Sequence, residues 1–166
     1  SLGVLDYYPD VIDCNDWQSA ATVIYLKTLY ADKFGFSEIK TVFTIHNIEY
    51  QGKFGMETAA DLFGFPESAY GAIEFDGCLN LMKGAIQLAD KVVTVSPTYA
   101  RELQDPYFAA GLENIIKANE YKISGILNGL DLELYDPATD KALFANYSAN
   151  DLDGKKICKR ELQKML

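Results

Sequence analysis

An α/β fold, a parallel sheet flanked by helices on both faces in the doubly wound manner, is predicted for this chain by three observations. Short apolar and β-branched runs alternate with stretches of helical spacing. Two of these runs pass straight into a residue able to cap a helix. No connection has the length of a hairpin turn, so successive strands are expected to run parallel through crossovers.

The first run, residues 9–17, is a short strand that enters a helix at Asn15. Asn15 is a capping residue type, and Gln18 three positions on can close a capping box. Trp17, Ala20, Ala21 and Ile24 then recur at helical spacing and define one apolar face, which favours core packing over ligand stacking for the sole tryptophan. After a turn around residues 34–37, residues 41–45 read T-V-F-T-I, a strand that stops at His46 and Asn47. Residues 49–74 are broken by Gly52, Gly55, Gly64, Gly71 and Pro66, and predict short helices and loops with no regular element. Their aromatic richness fits a sugar-binding loop or an irregular cover over a sheet edge. Phe75, Leu79, Met82, Ile86 and Ala89 alternate at four and three, the stripe of a helix facing a sheet. Residues 92–95 form the next strand, and Ser96-Pro97 supplies an N-cap with proline at the first helical position. Residues 123–127 are a fourth strand closed by Asn128-Gly129. Residues 151–166 predict an amphipathic helix with Cys158, Leu162 and Met165 on one side. The stretch 136–140 marks a boundary between a first domain, 1–135, and a lead-in, 136–166, whose lone helix has nothing of its own to pack on and suggests a truncated chain.

Composition narrows the function. The 166 residues are 49% hydrophobic and 23% charged, values of an ordinary globular domain and not of a disordered one. With 15 basic and 24 acidic side chains the net charge is -9, which repels nucleic acid and anionic membranes. No apolar run is long enough to span a bilayer. Three cysteines without paired spacing and a single histidine make no zinc site, and fit reduced thiols in the cytoplasm. Phosphate-binding glycine loops and a G-x-S-x-G elbow are absent.

Polar residues gather where the strands end, the edge at which open parallel sheets bind ligands. They are Asp13 to Asp16, His46-Asn47, Ser96 to Thr98, and Asn128 to Asp131. Capping and turn chemistry explain any one of them alone. His46 is the only histidine, and its place just past a strand expects an imidazole facing outward from the core.

Four segments carry a resemblance: D-V-I-D-C-N-D-W-Q at 10–18, T-V-F-T-I-H-N-I-E-Y-Q-G at 41–52, A-D-K-V-V-T-V-S-P-T-Y-A-R-E at 89–102 and G-I-L-N-G-L-D at 125–131. In order and spacing they resemble the bacterial glycogen synthase and plant starch synthase family. That resemblance implies two Rossmann-like domains facing a cleft, this chain supplying most of the first. It implies a retaining glucosyltransferase that moves glucose from ADP-glucose, or UDP-glucose, to the non-reducing end of an α-1,4-glucan, with no metal or other cofactor. By the same resemblance His46 is catalytic and lies against the donor glucose, Asn128 lies near the same sugar, and Asp16, Asn47 and Gln18 shape the acceptor side of the cleft. Two departures stand out. The family usually carries histidine where this chain has Asp13, and its K-x-G-G-L loop and its second-domain arginine, lysine and glutamate lie outside these residues. The isolated chain is therefore expected to be inactive and prone to self-association. A non-catalytic carbohydrate- or partner-binding module on the same scaffold, or a sucrose synthase relative, is the alternative.

Overall fold

The computed structural model describes residues 2–5 and 7–166, divided into two units, Ser1–Leu127 and Asn128–Leu166. In the first unit, β1 (Val11–Asn15) runs directly into α1 (Asp16–Lys27), and β2 (Lys40–Ile45) follows. A compact insertion comes next: β3 (Lys53–Gly55), α2 (Glu57–Asp61), α3 (Tyr70–Ile73), β4 (Glu74–Phe75) and β5 (Cys78–Asn80). Then α4 (Leu81–Leu88), β6 (Lys91–Thr94), α5 (Pro97–Glu102), α6 (Glu113–Ala118) and β7 (Ile123–Gly125) complete the unit.

The main sheet is wholly parallel, in the order β1-β2-β6-β7. Its register pairs Asn15 with Thr44, Ile45 with Thr94, and Thr94 with Gly125, so the carboxyl ends of the four strands align. This alignment is what brings strand-end residues distant in sequence to one edge. Gly125 is needed there, because a Cβ would lie 2.1 Å from the Ser96 carbonyl oxygen.

Strand alternation separates two faces. Thr41, Phe43 and Ile45 of β2 and Val92 and Thr94 of β6 are fully buried, whereas Val42, Thr44 and Val93 between them are half-buried. The buried face receives α1 and α4, which pack on each other, with α6 beside α4. Ala20, Val23, Ile24, Met82, Ala85 and Ile86 fill that layer. Each large apolar side chain there contributes about 1.5–3 kcal/mol on burial. The parallel sheet flanked by helices is thus the architecture expected from sequence, with one correction. The strand order runs one way across the sheet, so these crossover helices share a face, and the opposite face is only half-buried among the described residues.

A second correction concerns residues 74–80. Phe75 and Leu79 belong to β4 and β5, not to the helix that begins at Leu81, and β3, β5 and β4 form a small antiparallel sheet. Asp76 (φ 52°) and Gly77 (φ 78°) make the two-residue turn between β4 and β5. Two consecutive left-handed residues are the signature of a type I′ hairpin, so one hairpin-length connection is present after all.

The second unit holds α7 (Asp153–Met165) and the turns that precede it. Asn146 Nδ2 donates to the Pro137 and Asp140 carbonyls, tying these turns together. Gly154 lies so close to the Asn146 carbonyl that a Cβ would meet it at 2.0 Å, and Cys158 Sγ donates to the Ala145 carbonyl at 3.2 Å. The expected helix is present, but of its apolar side only Cys158 is half-buried, while Leu162 and Met165 are 55% and 72% exposed. No described helix is long and apolar enough to cross a membrane.

Candidate functional site

The site is built where β1 and β2 end. Asn15 closes β1 in an extended conformation, and Asp16, the first residue of α1, turns left-handed at φ 53°. That region is uncommon for residues other than glycine, and aspartate and asparagine enter it at least cost. The turn brings the Asp16 carboxylate to the end of β2, where Oδ1 accepts the backbone N–H of His46 at 2.8 Å and of Asn47 at 3.4 Å. Asp16 therefore fixes the main chain that carries His46. Asn47 Oδ1 accepts the N–H of Glu49 at 3.0 Å, and the Tyr99 hydroxyl accepts that of Ile48 at 3.2 Å. Each amide from His46 to Glu49 thus has a side-chain acceptor.

The His46 imidazole is exposed, following the fully buried Ile45. Its Nε2 lies 2.8 Å from Asn15 Oδ1. Asn15 Nδ2 in turn donates to Asp13 Oδ2 at 3.2 Å, and Thr44 Oγ1 donates to Asp13 Oδ1 at 2.9 Å. This engagement corrects the capping box: Asn15 occupies the cap position, but its side chain makes no capping bond. Gln18 is exposed on the first turn of α1. The structure thus brings together Asp16, His46 and Asn47. Asn128 is exposed and opens the second unit.

Ser96 acts as the sequence predicts, its Oγ accepting the Tyr99 N–H at 2.9 Å ahead of Pro97 at the helix start. Capping α5 sets Tyr99 beneath the 46–49 segment. Burial pushes the Tyr99 phenol up, the Ile48 N–H opposes that rise, and the carboxylates of Asp16, Glu49 and Glu102 add to it. The phenol stays protonated at neutral pH. The Cys14 thiol, buried and beside Asp13, is pushed up to about 11, so it is no nucleophile at neutral pH.

Beside this edge lies an open cleft of about 390 Å³, bounded by Trp17 and the 49–54 segment. Trp17 is half-buried, packing on the core and on Phe54 with ring centroids 6.0 Å apart, while its remaining surface lines the cleft. Gly52 (φ 65°) lets the chain pass over the indole, since a Cβ would lie 2.6 Å from Trp17 Cε3. Tyr50, 66% exposed, and Lys53 add an aromatic face and a cation. Sequence reasoning placed Asp13 and Asn15 at this edge without linking their side chains to His46, and it missed Tyr99. A period-two reading across paired strands would have put Asp13 and Asn15 on the face of Thr44 and His46, but the pairing itself was needed to see it.

Comparison with known proteins supplies the relationship. Residues 1–118 match the family described as the starch synthase catalytic domain. The glycogen synthases of Alkaliphilus metalliredigens and Lactiplantibacillus plantarum are 44% and 46% identical to this chain over 98% of its length, each alignment covering 34% of the relative. The catalytic domain of starch synthase IV from Arabidopsis thaliana, solved with ADP and acarbose bound, superposes with a TM-score of 0.76 at 36% identity, over 99% of this chain and 34% of that one. The chain spans about a third of the length of these relatives. With its match over residues 1–118, it belongs to the starch synthase catalytic domain family.

Proposed function

We propose that, within a protein of its relatives' length, this chain forms one wall of a retaining glucosyltransferase that moves glucose from ADP-glucose, or less often UDP-glucose, to the non-reducing end of an α-1,4-glucan. The observation that carries this reading is the anchoring of His46: its backbone N–H on Asp16 and its imidazole on Asn15, at the open end of a parallel sheet. As a nucleoside diphosphate leaves, positive charge develops on the sugar ring, and the site needs oriented polar groups more than a strong base. A histidine held at backbone and ring alike suits that role: it positions the donor glucose and abstracts no proton. Asn128 serves the same sugar, and Asp16, Asn47 and Gln18 the acceptor side. The cleft lined by Trp17 and Tyr50 supports a carbohydrate ligand, since aromatic faces pack on sugar rings. The reading asks for no metal or other cofactor. Free Cys14, Cys78 and Cys158 support a reducing compartment, the cytoplasm. Exposed Leu162 and Met165 favour self-association of the isolated chain.

The test is His46→Ala in the complete enzyme. Loss of one positioning group is expected to lower kcat about 10²-fold. Because His46 is exposed, stability is expected to stay within about 0.5 kcal/mol. Full activity, or a large drop in Tm, overturns the role given to His46.

A further inference from the structure

We propose that Asp13 is a positioning residue that, through Asn15, holds the His46 imidazole in its Nε2–H tautomer and leaves Nδ1 as a free acceptor for a sugar hydroxyl. The role of the free nitrogen rests on the reading of His46 given above; the tautomer does not.

The argument begins with strand geometry. Side chains two apart on a strand share a face, and paired residues on neighbouring strands share it too. Asp13 pairs with Val42 and Asn15 with Thr44, so Asp13, Asn15 and Thr44 line one face of the sheet, and His46 continues the line just past the end of β2. This is the half-buried face, not the one covered by helices.

Chemistry then runs in one direction along the line. Asp13 Oδ1 is taken by the Thr44 hydroxyl, leaving Oδ2 for Asn15. A carboxylate has no hydrogen to give, so the Asn15 atom that faces it must be the amide nitrogen. The amide oxygen is then turned toward His46, 2.8 Å from Nε2. An oxygen there is compatible with a protonated Nε2 and sets two lone pairs against each other if Nε2 is bare. Nδ1 is the nitrogen left to accept. A histidine in place of Asp13 would both donate and accept and would leave the Asn15 amide free to turn either way. The directional relay is a property of this chain's own aspartate.

His46 is the only histidine, so a long-range ¹H–¹⁵N spectrum of the uniformly labelled chain reports its two ring nitrogens without assignment. Recorded at about pH 8, above the ordinary imidazole range, the wild-type chain is expected to hold Nε2–H over Nδ1–H by at least about ten to one. Removing the equivalent of one hydrogen bond, in Asp13→Ala or in Asn15→Ala, is expected to lower that ratio about fivefold. The double variant is expected to lower it no further, because both substitutions cut one relay. Asp13→Asn keeps the shape but can present either atom to Asn15, and is expected to fall between. It also serves if the backbone amide spectrum shows Asp13→Ala unfolded. A wild-type ring with Nδ1–H equal or dominant overturns the proposal without any variant. So does an unchanged ratio in folded Asp13→Ala or Asp13→Asn, and additive effects in the double variant remove Asn15 as the link. The samples contain no nucleotide sugar, so these outcomes leave the glucosyltransferase reading standing or falling on its own test.

Discussion

Asp90 closes the other end of the sheet with a single carboxylate. Its Oδ2 accepts the Thr41 backbone N–H at 2.7 Å and the Thr41 hydroxyl at 3.0 Å, and lies 2.6 Å from Lys27 Nζ. Partial burial pushes the Asp90 carboxyl up, but Lys27 and the two Thr41 donors outweigh it and hold the group below its ordinary value. A carboxylate with a depressed folded value contributes stability above its unfolded pKa, about 3.9, and loses it as pH falls through the folded value. Thr41 is fully buried, so Asp90→Ala leaves a buried N–H without its acceptor and is expected to cost about 1–3 kcal/mol near pH 7. Asp90→Asn keeps an acceptor for Thr41 and is expected to cost less, with a weaker acid dependence. Urea unfolding at about pH 7 and about pH 3 checks both: the wild-type advantage over Asp90→Ala should shrink at the lower pH, and an advantage independent of pH would remove the charged carboxylate as its source. Two buried lysines make a related use of their surroundings. Lys83 Nζ donates to the Gly71 and Glu74 carbonyls, and Lys122 Nζ to those of Gln87 and Ala89, the latter holding the chain where α4 ends. Desolvation lowers both pKa values, and the nearby carboxylates of Glu74 and Asp90 oppose that fall.

Among elements, the hairpin of β4 and β5 depends most on a single backbone conformation. Gly77 sits at φ 78° with no atom near the place a Cβ would take, so a substitution there is strained by backbone alone. Gly77→Val is expected to cost about 1–2 kcal/mol and Gly77→Asn less, as urea midpoints would show; equal costs would rule out a left-handed requirement. This hairpin also explains what was legible beforehand. The strands at 11–15 and 91–94 stand out because apolar runs lead into capping residues and that at 40–45 by its β-branched run, and the cap at Ser96 is local chemistry that needs no tertiary knowledge. Phe75 and Leu79 mislead because residues four apart fit a helical stripe equally well when two short strands turn back between them. The Asp76-Gly77 pair was the available signal. The site divides in the same way. His46 and Asp16 are marked by position, at the end of a strand and the start of a helix. Asn15 reads as a cap by residue type, and only the pairing of β1 with β2 shows its side chain spent on His46 instead.

At the scale of the molecule, charge decides what this chain can do by itself. Departure of a nucleoside diphosphate requires cations against its phosphates. Several basic groups are already committed: Lys27 to Asp90, Lys83 and Lys122 to backbone carbonyls, Lys156 to Asp153 and Lys164 to Glu161. Around His46 the charged groups of the hydrogen-bonded edge, Asp13 and Asp16, are acidic, with Glu49 one turn of chain away. Lys53 is the one basic side chain lining the neighbouring cleft, and the whole chain carries a net charge of -9. Such a surface repels a diphosphate as it forms, and under the function proposed above its part is the sugar-facing side of the reaction. The 166-residue chain is therefore expected to transfer no glucose from ADP-glucose to glycogen. Incorporation of labelled glucose measured against a no-protein blank checks this, and turnover above that blank would mean that cations within these residues suffice to hold the leaving group.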